Sequence, residues 1–225
     1  MALETCCDQR AQAQESVRQM TRIGIFGGTF DPIHLGHLIV AEEVRSLLDL
    51  DQMIFVPARV SPLKMGENAM FSAQERLQMV ELAVADNPCF RVSSIDLERS
   101  GPSFTVDTLR MFQGRFGLDA QLYFVMGMDS LRSLGLWRQP DEIIRLARIA
   151  AVSRPGSLVD WPELESILPG VRAATDLVST LNIGISSTGI RQRLRQGRSV
   201  RYLVPLGVDQ LISDILAARL QGAGA

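Results

Sequence analysis

From Thr21 onward, short apolar runs rich in β-formers alternate with segments of helical period, and no other feature restricts the fold of this chain so strongly. "RIGIFGG" (Arg22 to Gly28) is an apolar run closed by glycine, as a buried strand requires. "LGHLIVAEEVRSLL" then puts Leu35, Leu38, Ile39, Ala41, Val44, Leu47 and Leu48 on one helical stripe. "QMIFVPA" reads as the second strand. Ser72 and Glu75 form a Ser-x-x-Glu capping box ahead of the helix "RLQMVELAVA". "FRVSSIDL" is the expected third strand and "AQLYFVMG" the fourth, separated by a helix through "TVDTLRMFQGRF" that Gly117 closes. A helix opened by Pro140, "PDEIIRLA", leads into a fifth strand, "RIAAVSR", and "DLVSTLNIGI" holds a last short one. The basic "SSTGIRQRLRQG" and the amphipathic "VDQLISDILAARL" read as the closing helices; "SPLKMGENAMF" and "MDSLRSLGLWRQP" read as loops, the second with a short helix.

Strands that alternate with helices imply right-handed βαβ units, hence an α/β fold with a doubly wound parallel sheet covered on both faces. In such folds ligands bind beyond the carboxyl ends of the strands. The loops after "RIGIF", "MIFVP" and "YFVMG" are therefore expected to converge on one cleft. Residues 1–20 are polar and are expected to form a disordered or frayed extension, with residues 21–225 as a single domain. That extension has no apolar core of the secretory kind, and no run approaches the roughly 18 apolar residues of a membrane span. Lys plus Arg number 23 against 25 Asp plus Glu, a balance that argues against a general nucleic-acid binder. Cys6, Cys7 and Cys89 lack metal-ligand spacing, and the expected setting is reduced and cytoplasmic.

The first turn carries the chemistry. Both histidines of the chain fall within "GIFGGTFDPIHLGH" (Gly24 to His37). Gly27 and Gly28 let a ligand approach the backbone, and the helix starting near Leu35 directs its dipole and free amides at the same place. His34 and His37 are three apart, so they share one side of the first helical turn. Two imidazoles beside a helix end that favours anions suit a phosphoryl or nucleotidyl group. No Walker A loop and no Gly-x-Gly-x-x-Gly fingerprint is present, and the histidines have no third zinc ligand at the usual spacing. The rival reading, in which both rings merely cap or pack the helix, is disfavoured by the Gly-Gly-Thr-Phe-Asp-Pro that precedes them.

Gly27 to His37 resembles the signature of the nucleotidyltransferase superfamily with the His-x-Gly-His motif. Ile185-Ser186-Ser187-Thr188-Gly189-Ile190-Arg191 resembles its Ile-Ser-Ser-Thr-x-Ile-Arg motif. "SFTVDTL", "VMGMD", Trp137, "SRPG" and "RYLVP" are similar, in order, to landmarks of the bacterial nicotinate-nucleotide adenylyltransferases. The similarity runs from about Thr21 to the C-terminus. It implies a Rossmann-like nucleotidyltransferase fold that transfers AMP from ATP to nicotinate mononucleotide, giving deamido-NAD and pyrophosphate, by in-line attack without a covalent enzyme intermediate. His37 is expected to donate to the α-phosphate and His34 to hold the ATP phosphates, with Lys64 and Arg191 as cationic clamps. Gly28, Thr29 and Phe30 supply the phosphate loop. Ser187 and Thr188 are expected to cap the late helix and bind the β- and γ-phosphates, while Gly127 and Asp129 meet the adenosine ribose. Thr105, Trp137 and Arg138 are expected at the nicotinate mononucleotide, with Trp137 as a stacking platform. Mg²⁺ enters with ATP, and no protein metal ligand is named.

The chain departs from the family pattern at Leu63, where histidine is common before Lys64, and at Arg138, where tyrosine or histidine often follows the tryptophan. Expected partners are the two small substrates, not nucleic acid or membrane. Nicotinate or nicotinamide preference and monomer or homo-oligomer stay open. The alternatives are another adenylyltransferase, with nicotinamide mononucleotide or phosphopantetheine as acceptor, and a non-catalytic nucleotide-binding regulator.

Overall fold

Side chains alternate along β1 (Thr21–Gly28): Ile23 and Ile25 enter one apolar cluster and Phe26 packs against the other. A strand apolar on both faces has to lie inside a sheet covered on both sides. The computed structural model describes residues 20–60, 69–153, 159–181 and 183–222. Its six strands are β1, β2 (Gln52–Pro57), β3 (Phe90–Val92), β4 (Ala120–Gly127), β5 (Arg148–Ser153) and β6 (Thr175–Ser179). All pair in parallel, in the order β3-β2-β1-β4-β5-β6. Gly24 stands opposite Met53 on one side and Tyr123 on the other. A Cβ at Gly24 would fall 2.6 Å from the Met53 sulfur, so any side chain there would have to displace Met53 and Leu50.

The helices divide between the faces. Helices α1 (Leu35–Leu47), α2 (Ala73–Val84), α8 (Ser187–Arg195) and α9 (Leu206–Gly222) bury Val44, Val80, Ile190 and Ile212 against Met53 and Phe55. Helices α4 (Thr105–Phe116), α5 (Met128–Arg132), α6 (Pro140–Leu146) and α7 (Trp161–Ile167) bury Leu109, Phe112, Leu131 and Leu164 against Ile23, Leu122 and Phe124. The capping box before α2 forms as expected: Glu75 N–H donates to Ser72 Oγ at 3.2 Å, and Ser72 N–H donates to Glu75 Oε2 at 2.6 Å.

The third strand is shorter than its sequence implied. "FRV" pairs with β2, whereas "IDLE" is a single helical turn, α3 (Ile95–Glu98). The two serines between them turn the chain: Ser93 Oγ accepts from Ile95 N–H at 3.4 Å, and Ser94 O accepts from Leu97 N–H at 2.7 Å. Asp96, which reads as a strand residue, is buried beneath Thr108 Oγ1 at 2.6 Å. Among the described residues no helix is long and apolar enough to cross a membrane. Residues 1–19, and with them nearly all of the expected extension, lie outside the described residues, as does the stretch holding Leu63 and Lys64.

Candidate active site

The sheet reverses its winding between β1 and β4, and the segment after β1 is anchored there at almost every residue. Gly28 O accepts from Ala58 N–H at 2.8 Å, and Thr29 O from Arg76 Nη1 at 2.5 Å. Asp31 O accepts from Arg191 Nη1 at 2.7 Å, while its carboxylate accepts from the amides of Met70 and Phe71 at 2.9 and 3.0 Å. Pro32 O accepts from Ser187 Oγ at 2.9 Å, and Leu35 N–H donates to Leu203 O at 3.0 Å. The two remaining contacts are apolar, since Phe30 and Ile33 are buried. Phe30 adopts φ 48°, a left-handed conformation costly for a bulky residue and tolerated only where the surroundings enforce it.

This anchored segment delivers the histidines. The rings of His34 and His37 stack with centroids 3.7 Å apart, and Phe30 meets His37 edge-on at 5.1 Å. His34 N–H donates to His37 Nδ1 at 3.3 Å. An accepting Nδ1 puts the proton of neutral His37 on Nε2, which leaves Nε2–H as a donor. His34 is 5% exposed, and desolvation lowers its pKa to about 4, so the ring is neutral at pH 7. Its Nδ1 is buried with no hydrogen-bond partner. Gly36 makes the stack possible, because a Cβ there would lie 3.0 Å from His34 Nδ1.

A cavity of about 340 Å³ opens on this pair. His34, Gly36 and His37 form one part of its lining, Gly127 and Asp129 another, and Ser186, Ser187 and Thr188 a third. Two helix N-termini thus reach one space. The Leu35 amide is taken by Leu203 O, whereas the amides of Gly36, Ser187 and Thr188 have no partner among the described residues. Unpaired amides at helix starts attract anions. Much of the remaining lining is apolar, with Phe26, Val40, Val125, Leu181, Ile183 and Ile185. Phosphates suit the unpaired amides and an apolar ring suits these side chains.

Of the residues singled out from sequence, the cavity gathers His34, His37, Gly127, Asp129, Ser187 and Thr188. Asp129 is fully at the rim, its side chain 92% exposed and 3.0 Å from Arg132. Gly28 and Thr29 serve the frame through their carbonyls, and the Phe30 ring lies in the core. Arg191 is turned inward, 3.6 Å from the Asp31 carboxylate, and does not line the cavity. The cap of α8 is Ser186, whose Oγ accepts from Gly189 N–H at 3.1 Å, rather than Ser187 or Thr188. The described residues of the loop after β2 do not line the cavity, and β2 lies on the far side of β1 from β4; Val152 of β5 and the segment after β6 line it instead.

Thr105, Trp137 and Arg138 gather on the other face of the sheet. Trp137 packs edge-on against Phe124 at 6.3 Å and donates to Ser133 Oγ at 3.3 Å. Arg138 lies over the Phe104 ring at 4.7 Å and 3.7 Å from Asp107, so it flanks Thr105 at the start of α4. Sequence reading missed Ser186, the apolar wall and Arg76. A signal for Arg76 existed: it precedes Met79, Val80 and Ala83 at helical spacing, on the stripe that α2 buries.

Comparison with known proteins agrees with this layout. A model of the cytidylyltransferase-like family matches residues 25–193, from the first strand through the late helix. The chain belongs to the cytidylyltransferase-like family. Among the relatives of this cytidylyltransferase-like chain is a probable nicotinate-nucleotide adenylyltransferase of Roseiflexus sp. (strain RS-1). The two are 48% identical over 183 residues, which is 81% of this chain and 90% of the relative. A protein of the same name from Thermomicrobium roseum is 43% identical over 194 residues, 86% of this chain and 90% of the relative. In fold, the cytidylyltransferase-like sheet is similar to Plasmodium falciparum nicotinic acid mononucleotide adenylyltransferase complexed with NaAD. That match has a TM-score of 0.69 at 18% identity, over 87% of this chain and 96% of the other.

Proposed function

We propose that this chain transfers the adenylyl group of ATP to nicotinate mononucleotide, releasing pyrophosphate and forming deamido-NAD. The observation that carries the proposal is the stacked His34–His37 pair opening on a cavity that two helix N-termini also reach. A phosphate oxygen of the mononucleotide attacks the α-phosphorus of ATP, and the bond from that phosphorus to the oxygen bridging to the β-phosphate breaks. The nucleophile is already anionic, so the enzyme's task is alignment and stabilisation of charge. His37 Nε2–H donates to the α-phosphate as charge accumulates. His34, neutral at pH 7, offers a hydrogen bond to the phosphates without adding a cation. The amides of Gly36, Ser187 and Thr188 receive the β- and γ-phosphates, and the apolar wall receives the adenine. Asp129 accepts from a ribose hydroxyl.

ATP enters as its complex with a divalent cation, Mg²⁺ in this reading. In this reading the cation is held by substrate oxygens and water. In our reading Arg191 acts by holding Asp31, and Lys64 clamps phosphates from the segment outside the described residues. Trp137 stacks on the pyridine ring, the amides near Thr105 face its carboxylate or phosphate, and Arg138 favours the acid over the amide. The reading places the chain in the cytoplasm, with small molecules as partners, and holds for a monomer or a homo-oligomer.

Pyrophosphate release decides it. Incubation with ATP, Mg²⁺ and nicotinate mononucleotide is expected to release pyrophosphate faster than incubation with nicotinamide mononucleotide or phosphopantetheine. His37→Ala is expected to fold and to lose about 10²–10³ in turnover, the range for removing one donor aimed at a transition-state oxygen. Release with none of the three acceptors, or a His37→Ala enzyme of normal turnover, would overturn the reading.

A further inference from the structure

Arg76 on α2 is 2% exposed, and among the described residues no carboxylate lies within ion-pair distance of it. Its guanidinium is instead surrounded by carbonyls. Nη1 donates to Thr29 O and to Ala58 O at 2.9 Å, Nε to Phe71 O at 3.3 Å, and Nη2 to Arg59 O at 3.3 Å. These four carbonyls come from the ends of β1 and β2 and from the turn into α2. Without a multiple donor among them, converging carbonyl oxygens repel one another and lack partners, and a planar guanidinium with five N–H groups suits such a cluster. Burial disfavours the charged guanidinium, and the nearby Asp31 carboxylate offsets part of that cost.

Thr29 is the step from this cluster to the histidines. Its carbonyl is tied to Arg76, and the next residue is Phe30, held at φ 48° with its ring edge-on to His37 at 5.1 Å. Asp31, the residue after that, accepts from the amide of Phe71, whose carbonyl Arg76 also holds. We propose that Arg76 is a positioning residue for His37: by fixing the Thr29 carbonyl it holds Phe30 in its left-handed conformation, and Phe30 holds the His37 ring with Nδ1 toward the His34 amide and Nε2–H toward the cavity. This rests on the assignment of His37 as the donor to the α-phosphate.

The test reads ring state and turnover separately. The chain has two histidines, so ¹⁵N-labelled imidazoles give two assignable spin systems. In the full chain at a pH where both rings are neutral, His37 shows one tautomer, with the proton on Nε2. Arg76→Gln is expected to leave His37 exchanging between tautomers and to lower kcat about 100-fold, the cost of a misplacement near 1 Å, with KM for ATP little changed. Arg76→Lys, which returns a cation with fewer donors, is expected to fall between that variant and the parent on both readouts. A folded Arg76→Gln protein with the parental tautomer and kcat would overturn the proposal. If neither variant has a folded melting transition above the assay temperature, Phe30→Leu decides: an unchanged His37 tautomer overturns the proposal, and tautomer exchange upholds it. If the parent releases no pyrophosphate, the functional reading fails, while the imidazole spectra still decide the part played by Arg76.

Discussion

His34 is a base kept neutral by burial, and the same burial makes it an acid-sensitive point in the fold. Its folded pKa, about 4, lies below the 6.5 of an exposed histidine. Between those values the unfolded chain binds the proton and the folded chain does not. Stability is therefore complete above pH 6.5 and is lost as pH falls toward 4, by an amount on the order of 3 kcal/mol. Thermal melts from pH 7 down to pH 4.5 are expected to show this fall in the parent protein and a smaller one in His34→Asn. Equal slopes would mean that desolvation does not govern the ring. The two histidines could be found from sequence because they are the only ones and stand at the start of a helix after paired glycines. The stack itself could not, since it depends on Gly36 leaving room beside His34 and on Phe30 adopting a conformation that bulky residues avoid. Arg76 shows the opposite limit. A charged residue on a buried stripe was visible, but the carbonyls that justify it come from segments remote in sequence.

Among elements, α8 shows how a helix start sets what its first turn presents. Ser186, Ser187 and Thr188 all suit an N-cap, and sequence alone gives no preference among three consecutive hydroxyls. The hydrogen bond from Gly189 N–H to Ser186 Oγ selects the first. The Ser187 hydroxyl is then turned to Pro32 O, and the Ser187 and Thr188 amides are left for a ligand. Ser186→Ala is expected to cost about 1 kcal/mol in denaturant unfolding and to raise KM for ATP, with kcat less affected, because it loosens the phosphate end rather than the histidines. A KM for ATP equal to the parent's would show that the cap has no part in binding. The short β3 is a similar case: "FRVSSIDL" has the residues of a strand, but the serines bend the chain and Asp96 needs the partner it finds in Thr108.

For the whole molecule, alternation of strands and helices was enough to anticipate a doubly wound parallel sheet with a ligand site at its carboxyl edge. Alternation does not say which strands border the reversal. That follows from pairing, and it is why the cavity is lined beside β1 and β4 by Val152 of β5 and by the segment after β6. The sheet also separates the two groups of proposed binding residues, with the histidines on the face of α1 and α8 and Trp137 on the face of α4 and α5. Substitutions on the two faces should then affect different substrates. Trp137→Ala is expected to raise KM for the mononucleotide far more than KM for ATP in initial-rate measurements. Equal increases would assign the ring to packing against Phe124 alone.

The segment from Gly28 to Leu35 is tied to Ala58, to Met70, Phe71 and Arg76, to Ser187 and Arg191, and to Leu203. It is therefore not a portable cassette. Grafted into a foreign scaffold it would carry its imidazoles along and leave its moorings behind, so a transplant would have to bring four distant stretches of chain with it.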